Sequence, residues 1–178
     1  IADTAEYRVL MQGRDIGHFK VDQQGEAVTV DYDFKQNGRG PTIKEVLKLG
    51  EDGVPVSYQG TGRTTFGNAV NESFRRTSGG VTWRDAAGGG TIKGKDAPRY
   101  YVTQSGSPLD SALLAKALLA APGRTLKACI PGGSSVPILN REETEACLMD
   151  YEGCVAQGTL IGSGGGAVCL AMNSSPID

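Results

Sequence analysis

His18 is the only imidazole in the chain and sits between Gly17 and Phe19. A general base needs a nucleophile or an orienting acid within hydrogen-bond reach. Three aspartates nearby in sequence could orient it: Asp15, Asp31 and Asp33. Asp31-Tyr32-Asp33 also puts two carboxylates on one strand face, an oxygen pair of the kind that binds divalent cations. Alternation through that stretch fits a solvated strand face better. Cys129 has Lys127 close by to favour its thiolate, with no histidine adjoining it. His18, Asp31, Asp33 and Cys129 are therefore the catalytic candidates. Each is weighed against a structural role, which is the commoner fate of a lone strand histidine or an isolated cysteine.

Nothing else in the sequence has cofactor chemistry. Cys129, Cys147, Cys154 and Cys169 form no close Cys-x-x-Cys pair, so neither zinc nor another metal is expected. They allow two disulfides in any of three connectivities, or buried free thiols. Gly162-Ser163-Gly164-Gly165-Gly166 lacks the Lys-Ser/Thr of a phosphate loop and reads as a turn. Asn71-Glu72-Ser73 and Asn173-Ser174-Ser175 match glycosylation sequons.

The elements that must position these residues are mostly strands. In Ala27–Phe34, residues Val28, Val30, Tyr32 and Phe34 alternate with Thr29, Asp31 and Asp33, the signature of a half-buried antiparallel strand. Shorter runs of the same kind cover Glu6–Met11, Ile16–Val21, Thr42–Leu49, Val54–Thr61, Val70–Thr77, Val81–Arg84 and Arg99–Thr103. Turn signals separate them: Gln12-Gly13-Arg14-Asp15, Asn37-Gly38, Asp52-Gly53, Gly67-Asn68, Ser78-Gly79-Gly80 and Gly88-Gly89-Gly90. One helix breaks the rhythm, over about 108–121. Ser107 is its N-cap, Pro108 its first residue, and Leu109, Leu113, Leu114, Ala117 and Leu118 its apolar stripe, before Pro122-Gly123 ends it. The fold class is mainly β: a curved antiparallel sheet or partial barrel with one packed helix. Residues 1–123 form that domain. Residues 124–178 form a Gly-rich, cysteine-bearing extension, with a strand expected over Leu126–Ile130 and another over Ala167–Met172.

Composition narrows the function classes. The 18 basic and 20 acidic residues give a net charge of −2, which offers no electrostatic footprint for nucleic acid. No apolar run reaches the roughly 18–20 residues of a membrane span. A first residue of Ile1 rather than Met leads us to expect an exported chain, periplasmic or secreted, after signal removal.

Two resemblances cover most of the sequence. Residues 3–128 resemble the N-terminal β domain of exported bacterial amidohydrolase-family proteins. The residues that carry the likeness include Ala5-Glu6-Tyr7-Arg8-Val9-Leu10-Met11, Val30-Asp31-Tyr32-Asp33-Phe34, Asn37 to Ile43, Thr65-Phe66-Gly67 and Gln104 to Pro108. That family's chemistry belongs to a later metal barrel with several histidines, so the resemblance implies an accessory domain and brings no metal site with it. Residues 124–172 resemble a segment of the flavin-bearing subunit of respiratory NADH dehydrogenase, through Leu126-Lys127-Ala128, Ile130 to Pro137, Met149-Asp150-Tyr151 and Gly158 to Gly165. The flavin and NADH loop and the cysteine cluster of that family have no counterpart here, so neither flavin nor iron is implied. Together the two suggest a chimera joined near Ala128–Gly133; were it an artificial recombinant, the expected location would be cytoplasmic.

Three functions follow as expectations. The first is a non-catalytic accessory or small-molecule-binding β domain derived from an exported hydrolase, any ligand being a hydrophobic small molecule and open sheet edges favouring a homodimer. The alternative is a hydrolase of activated ester or phosphoester substrates with a site assembled at a dimer interface. The third is a fragment of a redox subunit without its cofactor sites.

Overall fold

The computed structural model describes residues 2–86, 88–95, 97–122 and 128–129. Eight strands run in chain order: β1 (Ala2–Met11), β2 (Arg14–Gln24), β3 (Ala27–Phe34), β4 (Thr42–Leu49), β5 (Pro55–Arg63), β6 (Ala69–Thr77), β7 (Gly80–Asp85) and β8 (Gly88–Lys93). Each pairs antiparallel with the next, giving one open meander in which β1 and β8 are the edges. Of the two forms expected from sequence, a curved antiparallel sheet or a partial barrel, the fold is an antiparallel sheet that does not close. After it come the short β9 (Tyr100–Tyr101), the helix α1 (Pro108–Ala120) and β10 (Ala128–Cys129), which pairs parallel with β9.

Alternation explains the layering. In β4, Ile43, Glu45 and Leu47 face inward and are buried, while Lys44, Val46 and Lys48 face outward and are exposed. The same alternation in β2, β3, β5, β6 and β7 supplies the buried core: Phe19, Val28, Val30, Leu47, Tyr58, Phe74 and Val81, joined by Tyr100, Tyr101 and Leu113. Leu109, Leu114 and Ala117 of α1 pack on that core from above. The helix therefore covers the inner face, as its apolar stripe requires.

The Gly88-Gly89-Gly90 run is not a turn. Its residues open β8 and pair with Asp85, Arg84 and Trp83. A Cβ on Gly90 would lie 2.6 Å from the Trp83 ring. Glycine lets the edge strand pass beneath the indole, which is the close approach that a strand glycine often marks. In the first hairpin the turn is only Gln12-Gly13, with φ of 49° and 74°, and Arg14 and Asp15 already belong to β2.

Most of the 124–178 extension, including Cys147, Cys154, Cys169, the expected Ala167–Met172 strand and the Asn173 sequon, lies outside the described residues.

Candidate functional site

Two sets of acids occupy opposite faces of the sheet. On the inner face, Glu45 and Glu72 share one cross-strand row, with Gly60 of β5 between them. They are 1% and 2% exposed. Burial of an acid demands partners, and each has them. Glu45 Oε1 accepts from the Tyr58 hydroxyl and the Ser107 amide, both at 3.0 Å, and Oε2 accepts from the Ser107 hydroxyl. Glu72 Oε2 accepts from the Tyr101 hydroxyl at 2.9 Å and the Gln104 amide at 3.0 Å, and Oε1 accepts from the Ser105 amide at 2.9 Å. The glycine between them makes room: a side chain on Gly60 would collide with the Tyr58 phenol.

These acids hold the loop that leads into α1. Ser107 caps the helix through the Leu109 amide at 3.2 Å, and Asp110 reaches back to the Ser107 amide at 3.0 Å, a reciprocal capping box. Asp110 Oδ2 also accepts from the Thr103 hydroxyl at 3.1 Å. One amide, that of Ser107, thus bonds both Glu45 and Asp110. Burial, and then the neighbouring Glu45 carboxyl, push the Asp110 carboxyl well above the usual range. Burial, followed by Asp110 and Glu45, likewise raises the phenols of Tyr58 and Tyr100.

On the outer face the sequence candidates are spread along exposed rows. His18 Nε2 lies 3.2 Å from Asp31 Oδ1, and both side chains are 47% exposed. Asp33, directly opposite His18 in register, turns instead to the Lys35 ammonium at 3.0 Å and the Thr42 hydroxyl at 2.8 Å. Burial works against the charge on Asp33, but the Thr42 and Lys35 bonds outweigh it and hold the carboxyl below its usual range. Asp15 pairs with Arg8, whose hydrogen bond is the main reason its carboxyl is also lowered. The structure therefore brings His18 to Asp31 and separates it from Asp15 and Asp33 as hydrogen-bond partners. The Cys129 backbone pairs with Tyr101 in β10; its side chain lies outside the described residues. Among the described residues, no three His, Cys, Asp or Glu side chains converge as a metal-ligand group. No helix among them is long and apolar enough to cross a membrane.

A third feature sits at one end of the sheet, where the β3–β4 and β5–β6 turns lie side by side around a groove of about 510 Å³. Lys35, Arg39, Arg63 and Phe66 line it with Gly40 and Gly67. Both turns are tight. Gln36 and Arg39 exchange backbone bonds of 2.7 and 2.9 Å around Asn37-Gly38, whose φ values of 51° and 77° define a primed two-residue turn. The Gly67 amide bonds the Thr64 carbonyl at 2.9 Å and leaves Phe66 at the tip, 82% exposed.

Sequence reasoning missed Glu45, Glu72, Asp110 and the groove residues. A signal for the first two existed, because each acid replaces an apolar residue in the inward register of Ile43-x-Glu45-x-Leu47 and Val70-x-Glu72-x-Phe74. Compared with protein-family models, with curated proteins and with solved structures, the chain matches none.

Proposed function

We propose that this chain is a non-catalytic accessory β domain that binds a small molecule with an apolar body, of the kind that accompanies exported hydrolases. One observation carries the reading. The inner-face acids Glu45 and Glu72, with Asp110 of α1, are turned toward the helix-leading loop, and both glutamates are closed to solvent. Their chemistry is structural. One apolar surface open to such a ligand is the flank of the inner face, where Tyr7, Phe19, Tyr32 and Phe34 follow one another with ring centroids 5.4, 5.9 and 5.6 Å apart. The edges β1 and β8 favour pairing between two copies into a homodimer.

A second reading, a hydrolase of activated esters or phosphoesters, is favoured only by the His18–Asp31 contact. Its histidine would act as a base oriented by the aspartate. Both readings meet in one experiment. The purified chain is assayed on activated carboxylic, phosphate and phosphotriester substrates beside His18→Ala, and titrated with the neutral fluorophore N-phenyl-1-naphthylamine. Saturable fluorescence enhancement without turnover is expected. Turnover that His18→Ala abolishes would establish the hydrolase instead, and an absence of saturable enhancement would remove an uncharged apolar molecule as the ligand.

A further inference from the structure

The groove at the β3–β4 and β5–β6 turns combines features that a solvated hairpin end does not need. Three cations line it and no acid does, on a chain whose net charge is −2. The three are not equivalent. Lys35 is tied down by Asp33 at 3.0 Å, the Pro41 carbonyl at 3.1 Å and the Thr42 hydroxyl at 3.0 Å, so its charge is largely answered. Arg63 gives one of its donors to the Gly67 carbonyl at 3.1 Å and is thereby aimed along the groove wall. Arg39 makes no side-chain hydrogen bond or ion pair with another described residue, leaving its planar fork of donors open.

Position adds to charge. Arg39 closes a two-residue turn and Arg63 ends β5, so both guanidinium groups are carried on short, pinned backbone. Gly40 packs so closely against the Phe34 carbonyl that no side chain fits there, which fixes the first turn against β3. Phe66, at the tip of the second turn, presents an aromatic face that folding leaves in water. Open guanidinium donors match the oxygens of a carboxylate or phosphate, and an exposed ring matches an apolar body. The volume of about 510 Å³ lies within the range of small-molecule sites.

We infer that this groove is the ligand site, and that its ligand is a soluble small molecule bearing a carboxylate or phosphate on an apolar body. The inference rests on the binding reading above and gives that reading a place and a charge. Arg39 and Arg63 hold the oxyanion, and Phe66 covers the apolar part.

The test is an amide NMR titration of the full chain with phenyl phosphate, beside inorganic phosphate, phenol and N-phenyl-1-naphthylamine. Shifts concentrated at residues 36–40 and 63–67 are expected, with affinity falling about tenfold in Arg39→Ala, the scale of one charge-assisted contact. Arg39→Lys should retain part of it, and Phe66→Ser should bring phenyl phosphate down to the affinity of inorganic phosphate. Phenyl phosphate shifts at the Tyr7–Phe34 flank, or shifts from the neutral fluorophore alone, would overturn the groove and leave a binding domain. Equal binding of phosphate and phenyl phosphate would overturn the apolar half of the inference. Silence from every probe would remove both this inference and the reading beneath it.

Discussion

Glu45 and Asp31 are acids on adjacent strands, one register step apart and on opposite faces of the same sheet. Glu45 is 1% exposed and accepts three hydrogen bonds. The Asp31 side chain is 47% exposed and, among the described residues, bonds only His18. Water competes for every bond Asp31 makes, so that pair is worth roughly 0–1 kcal/mol. No water replaces a bond lost to Glu45, so each partner stranded there costs about 1–3 kcal/mol. The residue most suggestive of chemistry in the sequence thus lies where geometry is loosely held. The residues held most firmly suggest no chemistry by their spacing, and they organise the helix that closes the core.

The largest consequence falls on the inner face. Glu72→Ala removes the acceptor shared by the Tyr101 hydroxyl and the Gln104 and Ser105 amides. Stability to urea should fall by about 3 kcal/mol or more. A loss under about 1 kcal/mol would mean that the two faces do not differ as described.

Next is Gly106→Ala, which would drive a methyl group into Asp110 and Thr103. Overpacking of this kind costs about 1–3 kcal/mol, again read from the urea midpoint.

Asp110 makes the inner face sensitive to pH. Its carboxyl is raised in the fold above an ordinary value of 3.8, first by burial and then by Glu45. Such a group favours the fold fully below its unfolded pKa, and that contribution drains away as pH climbs through the folded value. Asp110→Asn, a permanent mimic of the protonated acid, should therefore match wild type at low pH and gain on it as pH rises. Parallel urea series from acid to neutral pH would show this. A constant difference across the series would show that Asp110 does not titrate as its setting implies.

The smallest effect belongs to the outer face. His18→Ala should change stability by less than about 1 kcal/mol, since the pair it breaks is half in water. A loss as large as that of Glu72→Ala would erase the contrast between the two faces.

Much of the architecture was legible because alternation is a local property. The limits of β3 and β4 coincide with their apolar–polar alternation, and Ser107-Pro108 marks the start of α1. The strand β8 was illegible because three successive glycines carry no side chain to alternate; the Trp83 ring explains Gly90, the Trp83 carbonyl explains Gly89, and a φ of 145° explains Gly88. The choice among Asp15, Asp31 and Asp33 as partner of His18 depends on cross-strand register, which residues 12–33 do not encode one by one. Glu72 was visible as an acid inside an apolar alternation, but its three partners come from residues 101–105, about thirty positions away. The groove depends on two turns meeting in space, which neither turn reveals alone.

The buried acids hold the loop before α1. Amide hydrogen exchange of Gln104, Ser105 and Ser107 in the unmodified chain tests it most directly, since each N–H donates to Glu72 or Glu45. Protection approaching that of the central strands is expected, lost together with theirs on global unfolding. Exchange of these amides at the rate of an exposed loop would contradict it.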